Sequence, residues 1–289
     1  MLTLIGEESS WKKEKDSEKN SETPAVTAPS EPDIPHVIEE VPEPVIEQTP
    51  TLKPAGNFNP ASDCERLYKA MKGFGTDEKT IIDVLGNRSS DQRMELKKSY
   101  QQMYGKDLVK ELKSEISGNF WNTVEALMMS PVEFDAFSIR AAIKGLGTDE
   151  EALIELLTTR SNEQLNAAKQ TYQTMFNRDI EKDIKSDTSG FFQKVLVSLL
   201  TASRPNSNMV DKTQAKIDAQ SLLNAGAKKW GTDEGTFLTI FCARSYSQLR
   251  AMFEEYKSLA GHTIEDDIKK EMSGSLSKSF QAISMFNSF

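Results

Sequence analysis

The sequence contains one glycine-bearing loop three times, and this repetition constrains the fold more than any other feature. The loop reads M-K-G-F-G-T-D-E at 71–78 and I-K-G-L-G-T-D-E at 143–150, and a shorter form, K-K-W-G-T-D-E, follows at 228–234. Gly73, Gly145 and Lys229 are taken as equivalent positions, and the second interval is longer than the first because a loop at 201–212 intervenes. Self-similarity over such intervals indicates a chain made of repeated structural units.

Two further signals stand at fixed distances from these equivalent positions. An arginine followed by serine comes 15 residues later, and a glutamine comes three residues after the serine. Ser-x-x-Gln is the pattern of a capping box, so a helix is predicted to begin there in each copy. An acid stands 42 residues after each equivalent position, and these acids are Glu115, Asp187 and Glu271. The arginines are predicted to tie helix ends by hydrogen bonds, and they are Arg88, Arg160 and Arg244.

Apolar spacing inside each copy predicts helices. In the first copy Leu108, Leu112 and Ile116 recur at four-residue steps, and no stretch alternates with period two over a useful length. The threonine of each loop is predicted to cap a helix that starts at the following Asp-Glu, and these threonines are Thr76, Thr148 and Thr232. Each copy then contains about five short helices, and the predicted fold class is all-α.

The segment 1–57 differs from the rest of the chain in composition. It holds twelve acidic residues, five lysines and eight of the eleven prolines. Such a segment buries too little apolar surface to offset its ordering entropy, so a disordered tail is predicted at 1–57. The remaining chain is predicted to form repeats at 58–129, 130–201 and 214–285, with a linker at 202–213.

Composition and short motifs argue against several classes of protein. Cys64 and Cys242 form neither a disulfide framework nor a C-x-x-C metal motif, and His262 stands alone. The N-terminus lacks the features of a secretory signal, and the longest apolar patches are too short to span a bilayer. The repeats carry no basic excess, which argues against nucleic acid as a partner. We expect a soluble cytoplasmic protein without a catalytic constellation, and therefore not an enzyme.

The residues and predicted elements around the loop limit which ligands it can bind. No Lys-Ser/Thr follows the glycines and no strand is predicted before them, so a phosphate-binding loop is excluded. The loop has no acid before Asp77, which excludes an EF-hand. A weak calcium site made of loop carbonyls and the acid that follows at the fixed distance is one interpretation. A plain interhelical turn, with a glycine at one helix end and a threonine cap at the next, is the other.

The apolar residue at the tip of each loop favours the calcium site over a plain interhelical turn. The residue in question is Phe74 in the first copy, Leu146 in the second and Trp230 in the third. An apolar side chain at the tip of a calcium loop is poorly placed in water. Beside a membrane it can enter the headgroup region, so these three residues are predicted to contact the membrane.

These motifs closely resemble those of the annexin family. The loop K-G-x-G-T-D-E, the acid at its fixed distance and D-T-S-G at 187–190 carry the resemblance, which covers about 58–283. The resemblance implies an array of three five-helix repeats with Ca²⁺ sites that bind acidic, phosphatidylserine-like phospholipid membranes. Carried over position by position, it implies that the following carbonyls and acids bind calcium: Met71, Gly73 and Gly75 with Glu115; Ile143, Gly145 and Gly147 with Asp187; Gly226, Lys229 and Gly231 with Glu271.

The resemblance also sets two further expectations. Annexins usually carry four repeats and three are recognisable here, so the first repeat is expected to present an apolar face and either to mediate homo-oligomer formation or to lower stability. The expected function is reversible, calcium-dependent membrane binding from the cytoplasm. The alternative is a calcium-regulated adaptor, in which the N-terminal tail recruits protein partners while membrane binding is impaired.

Overall fold

Helices make up most of the described residues, which are 35–42, 52–145, 147–226 and 233–286 of the computed structural model. Fifteen helices and two short strands occur among them. The helices fall into three consecutive sets of five, termed repeats 1, 2 and 3. The prediction of an all-α array of five-helix repeats is confirmed. Within the described ranges no helix has the length and apolarity needed to cross a membrane.

The helix boundaries are similar in the three repeats. Repeat 1 contains α1 (Pro60–Ala70), α2 (Glu78–Leu85), α3 (Ser90–Tyr104), α4 (Leu108–Glu115) and α5 (Gly118–Leu127). Repeat 2 contains α6 (Pro131–Ala142), α7 (Glu150–Thr159), α8 (Asn162–Phe176), α9 (Ile180–Asp187) and α10 (Gly190–Leu200). Repeat 3 contains α11 (Lys212–Ala225), α12 (Glu234–Ala243), α13 (Tyr246–Ala260), α14 (Ile264–Glu271) and α15 (Gly274–Phe286).

Two of the three predicted capping boxes form completely. At the start of α3 and of α8 the serine accepts from the glutamine backbone N–H, and the glutamine side chain reaches back to the serine backbone. At the start of α13 only the first half forms, and the side chain of Gln248 bonds both backbone groups of Asp211, at 2.8 Å each. Gln92 makes the equivalent pair of bonds with the backbone of Ala55 and completes its capping box as well.

The second helix of each repeat is capped by aspartate, so the prediction of threonine caps is wrong where it can be seen. Asp77, Asp149 and Asp233 occupy the cap positions, and each carboxylate accepts a backbone N–H three residues later. A carboxylate at this position satisfies a free N–H and also interacts favourably with the positive end of the helix dipole. Thr76 and Thr148 contact other groups, and Thr232 lies outside the described residues.

The hydrophobic core is divided into two clusters. Repeat 1 has a cluster of its own, whereas repeats 2 and 3 share one. Within the shared cluster α7 packs against α15 and α10 packs against α12, so the second and fifth helices of each repeat face those of the other. Ile154 on α7 is only 5% exposed in this interface, whereas Ile82, its equivalent on α2, is 57% exposed. Homo-association through the α2 side of repeat 1 stays a prediction.

Part of the segment predicted as a disordered tail is ordered. Strand β1 (Ile38–Glu40) pairs antiparallel with strand β2 (Met209–Asp211), with Ile38 opposite Asp211 and Glu40 opposite Met209. The side chain of His36 contacts Asp211, and Glu39 forms an ion pair with Lys212. Sequence composition missed this strand because its hydrogen-bonding partner lies far away in the chain, between repeats 2 and 3. The rest of the predicted tail up to residue 51 lies outside the described residues.

Candidate metal sites

The loop between the first and second helix has the same backbone form in repeats 1 and 2. Gly73 and Gly75 have φ of 112° and 84°, and Gly145 and Gly147 have φ of 119° and 92°. L-amino acids with side chains rarely adopt such angles, so these positions require glycine. The loop closes through the backbone N–H of the capping aspartate, as in the 2.9 Å bond from Asp77 to the carbonyl of Ala70. Equivalent bonds of 2.8 and 2.9 Å occur in repeats 2 and 3.

The predicted carbonyl ligands of repeats 1 and 2 accept no hydrogen bond from the described part of the chain. Between described residues, no hydrogen bond is accepted by the carbonyl of Met71, Gly73 or Gly75. The same holds in repeat 2 for Ile143, Gly145 and Gly147. Carbonyl oxygens are ligands that Ca²⁺ accepts readily, because it is a hard cation that takes six to eight oxygens. The donor chemistry of both loops therefore fits calcium.

The fold brings the distant acid to the loop. Glu115 and Asp187 are the last residues of α4 and α9. The hydroxyl of Thr76 lies 3.0 Å from Oε2 of Glu115, and the hydroxyl of Thr148 lies 2.7 Å from Oδ2 of Asp187. Each loop and its acid, predicted from spacing alone, are thus in contact in two repeats. Calcium ligation by these groups stays a prediction.

Two helix C-termini meet at each of these loops. In repeat 1, α1 ends at Ala70 just before the loop, and α4 ends at Glu115 beside it. Helix C-termini carry partial negative charge, so a cation is favoured between them. Among the described residues no three His, Cys, Asp or Glu side chains cluster as a metal site, so a cation here would depend mainly on carbonyl oxygens. Glu115 is exposed, and Asp187 is half-buried.

Repeat 3 is only partly described at its loop. Gly226 follows the end of α11, and Glu271 is the last residue of α14, as the equivalent acids are in the other repeats. The ammonium group of Lys270 lies 3.3 Å from Oε1 of Glu271. Lys229 and Gly231, the other predicted ligands of this site, lie outside the described residues.

One of the three predicted membrane-contact residues can be examined. Phe74, at the tip of the first loop, has a fully exposed side chain and the largest exposed fraction of any large apolar side chain in the described part of the chain. Its neighbours Gly73 and Gly75 are also exposed. Leu146 and Trp230 lie outside the described residues.

Three buried aspartates, which sequence reasoning missed, fix the turn after the second helix. Each accepts hydrogen bonds from Nε and Nη2 of the predicted arginine, with N–O distances of 2.6–3.0 Å, and the pairs are Arg88–Asp63, Arg160–Asp135 and Arg244–Asp218. The prediction that the arginines tie helix ends is confirmed. The signal was present in the sequence, since an aspartate precedes the equivalent position by ten residues in copies one and two and by eleven in copy three.

In repeat 2 another buried acid, Asp183, stabilises α9, the helix that ends at the candidate ligand Asp187. Asp183, one turn before Asp187, accepts from the hydroxyl of Tyr172 at 2.7 Å and binds Arg178. The pKa of Asp183 is lowered, mainly by its hydrogen bond with Arg178. This arrangement orients α9, and with it the candidate ligand at its end.

Repeat 3 contains histidine where repeat 2 has Arg178. Nε2 of His262 lies 2.8 Å from Oδ2 of Asp267, which also accepts from Tyr256. His262 therefore has a partner, contrary to the sequence reading of it as a lone residue. Its hydrogen bond with Asp267 raises the pKa of His262.

Both cysteines are shielded from reaction. Burial raises the pKa of the Cys64 thiol and that of the Cys242 thiol to about 11. The thiolate is the nucleophilic form of cysteine, and reactive cysteines have a lowered pKa. These two thiols are therefore protonated at neutral pH and act as core residues.

Comparisons with known proteins show similarity over all three repeats. The annexin family model matches residues 62–127, 134–199 and 217–283. Annexin A11 of Homo sapiens is 49% identical over 233 residues, which are 81% of this chain and 46% of that protein. This chain thus spans about half the length of that relative. The solved structure of annexin III aligns with a TM-score of 0.79 and 42% identity, over 82% of this chain and 74% of that one. A calcium-bound annexin (Sm)1 aligns with a TM-score of 0.71 and 30% identity, over 83% and 72%.

Proposed function

Because this chain belongs to the annexin family, we propose that it binds acidic phospholipid membranes reversibly and only with calcium. The family is known for calcium-dependent phospholipid binding, and its members are generally non-enzymatic binding proteins. The proposed calcium ligands are one set of loop carbonyls and one carboxylate in each repeat: Met71, Gly73, Gly75 and Glu115; Ile143, Gly145, Gly147 and Asp187; Gly226, Lys229, Gly231 and Glu271.

The observation that carries this proposal is the contact between loop and acid in two repeats. Glu115 lies 39 residues from Thr76 in the chain, and Asp187 lies 39 residues from Thr148. In each case a carboxylate stands beside a loop whose carbonyls have no partner among the described residues. An interhelical turn does not require this combination, whereas a site for a hard cation does.

The charge of the protein explains why binding depends on calcium. The chain has a formal net charge of −9, so an anionic membrane repels it. Bound calcium supplies the positive charge that links these carboxylates to lipid phosphate. Each site has one carboxylate and is therefore weak alone, with a dissociation constant on the order of 10⁻⁴–10⁻³ M.

Three weak sites give tight binding only when they act on one surface. Simultaneous engagement raises the overall affinity by roughly 10²–10⁴ without new contacts. By thermodynamic linkage, the lipid increases the affinity for calcium by the same factor as calcium increases the affinity for lipid. A steep response to calcium follows from this arrangement, and peripheral membrane association from the cytoplasm is part of the same proposal.

Sedimentation with phosphatidylserine vesicles tests the proposal directly. The full chain is expected to pellet with the vesicles in millimolar calcium and to return to the supernatant when excess chelator is added. Phosphatidylcholine vesicles are the control, because they carry no net negative charge and should retain little protein. Pelleting that is equal with calcium and with chelator would contradict the calcium-dependent mechanism.

The same experiment separates the two functions considered from the sequence. If the folded protein stays in the supernatant under all conditions, membrane binding fails and the adaptor function is favoured. The feature on its side is the N-terminal segment 1–57, which is acidic and holds eight of the eleven prolines. Tail partners and homo-oligomer formation are part of that second proposal.

Phe74 is expected to add apolar membrane contact in repeat 1. Its exposed ring makes the replacement Phe74→Ala nearly neutral for folding, but this replacement removes a side chain that can enter the headgroup region. We expect the calcium concentration for half-maximal vesicle binding to rise by roughly three- to tenfold, corresponding to partial burial of an aromatic ring.

Two variants control for this prediction. Phe74→Trp should retain binding, because indole partitions well to the membrane interface. Met103→Ala removes an exposed apolar side chain from α3, which is not part of the loop, and should have no effect. Equal loss in the Phe74→Ala and Phe74→Trp variants would show that the ring does not act through membrane contact.

A further inference from the structure

We propose that Thr76 and Thr148 are positioning residues, which hold the carboxylates of Glu115 and Asp187 over their loops before calcium binds. This inference rests on the proposed function and assigns a task to residues that are not among the proposed calcium ligands. The threonine is the one loop residue that joins the glycine segment to the distant helix by a side-chain hydrogen bond, in both repeats where the loop is described.

The contact has the same double form in each repeat. The Thr76 hydroxyl lies 3.0 Å from Oε2 and 3.3 Å from the backbone oxygen of Glu115. The Thr148 hydroxyl lies 2.7 Å from Oδ2 and 3.1 Å from the backbone oxygen of Asp187. One hydroxyl thus contacts both the carboxylate and the free carbonyl at the end of the helix. The 2.7 Å distance in repeat 2 is that of a charge-assisted hydrogen bond, and the 3.0 Å distance in repeat 1 is that of a longer, ordinary O–H···O hydrogen bond.

The threonine hydroxyl has no other use in the loop. Asp77 and Asp149 already cap the next helices, so the hydroxyl is not needed as a cap. The backbone on both sides is also fixed. Gly75 precedes Thr76 at positive φ, and the N–H of Asp77 follows it in a bond to the carbonyl of Ala70. Because threonine is β-branched, its side-chain rotation is restricted, and the hydroxyl keeps its direction.

The acid needs such a partner because of its place in the fold. A carboxylate at the C-terminus of a helix faces the negative end of the helix dipole and is repelled by it. Glu115 is also exposed and turns about three side-chain bonds, so without a partner it would swing into solvent. The hydroxyl offsets both effects. It leaves the carboxylate able to accept a cation, since its two oxygens offer about four lone-pair sites.

The two repeats should depend on this hydrogen bond to different degrees. Asp187 is half-buried and has one side-chain bond fewer than the exposed Glu115. The side chain of Asp187 therefore has less rotational freedom for a hydrogen bond to restrict. Loss of the threonine hydroxyl should reduce calcium affinity less in repeat 2 than in repeat 1. A merely structural threonine would give no such order in calcium binding.

The test replaces the hydroxyl by a methyl group of similar size. Thr76→Val, Thr148→Val and the double variant are compared with the matching serine variants, which keep the hydroxyl. Thr80→Val is the matched control. The Thr80 hydroxyl bonds Asp77 at the start of α2, and repeat 2 has Ala152 at the position equivalent to Thr80. Each full-length protein is titrated with calcium in the absence of lipid and then with phosphatidylserine vesicles.

The expected result is a selective loss of calcium response. The double valine variant should need about tenfold more calcium or more for half-maximal thermal stabilisation and vesicle binding, as found when partners of metal ligands are removed. Thr76→Val should lose more than Thr148→Val. The serine variants and Thr80→Val should stay close to the wild type, and all melting temperatures in chelator should be unchanged.

Three outcomes overturn the inference. Wild-type calcium response in the double valine variant would show that the hydroxyls do not position the acids. Serine variants that behave like valine variants would exclude the hydroxyl as the cause. Valine variants that melt lower in chelator by as much as in calcium would assign the threonines to folding alone. A wild-type protein without any calcium response would instead refute the proposed function, and the inference with it.

Discussion

Replacing Glu115, Asp187 and Glu271 together by alanine is expected to abolish calcium-dependent vesicle binding. Each acid ends the fourth helix of its repeat, and two of them contact the adjoining loop. They supply the only carboxylate of each proposed site, and carbonyl oxygens alone carry no formal charge to hold a divalent cation. With the avidity of the three sites removed, the calcium requirement should rise by at least about 100-fold, beyond the usable range.

The control for this variant must match its change in charge. Glu95, Glu163 and Glu254 are exposed acids on the third helices, so their triple alanine variant also changes the net charge from −9 to −6. Because it leaves the loops intact and repels anionic lipid less, it should bind vesicles as well as the wild type or slightly better. Both variants are compared by sedimentation across a calcium titration. Retained calcium-dependent binding in the triple variant of Glu115, Asp187 and Glu271 would refute the assignment of these acids as ligands.

The Arg88→Leu variant is expected to lose about 3–5 kcal/mol of unfolding free energy. The Asp63 side chain is only 4% exposed and accepts hydrogen bonds from Nε and Nη2 of Arg88. Removing Arg88 takes both short hydrogen bonds from a buried carboxylate and leaves it only the longer 3.6 Å contact with Arg66, which also pairs with Asp83. Loss of the main partner of a buried ion pair costs about this much in other proteins. Thermal unfolding in chelator should show a drop of roughly 10 °C in melting temperature, given about 2–4 °C per kcal/mol for a chain of this size.

A double variant and a surface pair serve as controls. Replacing Asp63 and Arg88 together by leucine should recover much of the loss, since the unpaired charge is then absent. Lys185→Ala breaks an exposed ion pair with Glu181 on α9 and should cost less than about 1 kcal/mol. If Arg88→Leu melts like Lys185→Ala, the buried pair is not a main stabilising contact of repeat 1. The difference between single and double variants measures the coupling energy.

Several parts of this molecule were determined by local sequence and could be predicted from it. The capping boxes at Ser89 and Ser161 join residues three apart, so their geometry is decided within one helical turn. Apolar spacing indicated the five helices of each repeat for a similar reason. The spacing between loop and acid is the same in all copies, because each repeat folds in the same way and places the end of its fourth helix beside its loop.

Other parts were decided only by the tertiary structure. The hydroxyl of Thr76 could cap α2 or bond a distant group, and a sequence does not distinguish two hydrogen bonds that each contribute about 1 kcal/mol. The fold places Glu115 beside Thr76 and an aspartate at the cap, and so it settles the choice. The fold likewise brings Gln248 to the backbone of Asp211.

The pairing of residues that lie far apart in the chain was also decided by the tertiary structure. Strand β1 forms because β2, which lies beyond the first two repeats, offers backbone groups, and because Lys212 at the start of α11 pairs with Glu39; composition alone reveals neither. Local propensity and spacing therefore determined which helices form and which residues recur. The choice among partners of similar energy depended on which groups the packed repeats bring within hydrogen-bonding distance.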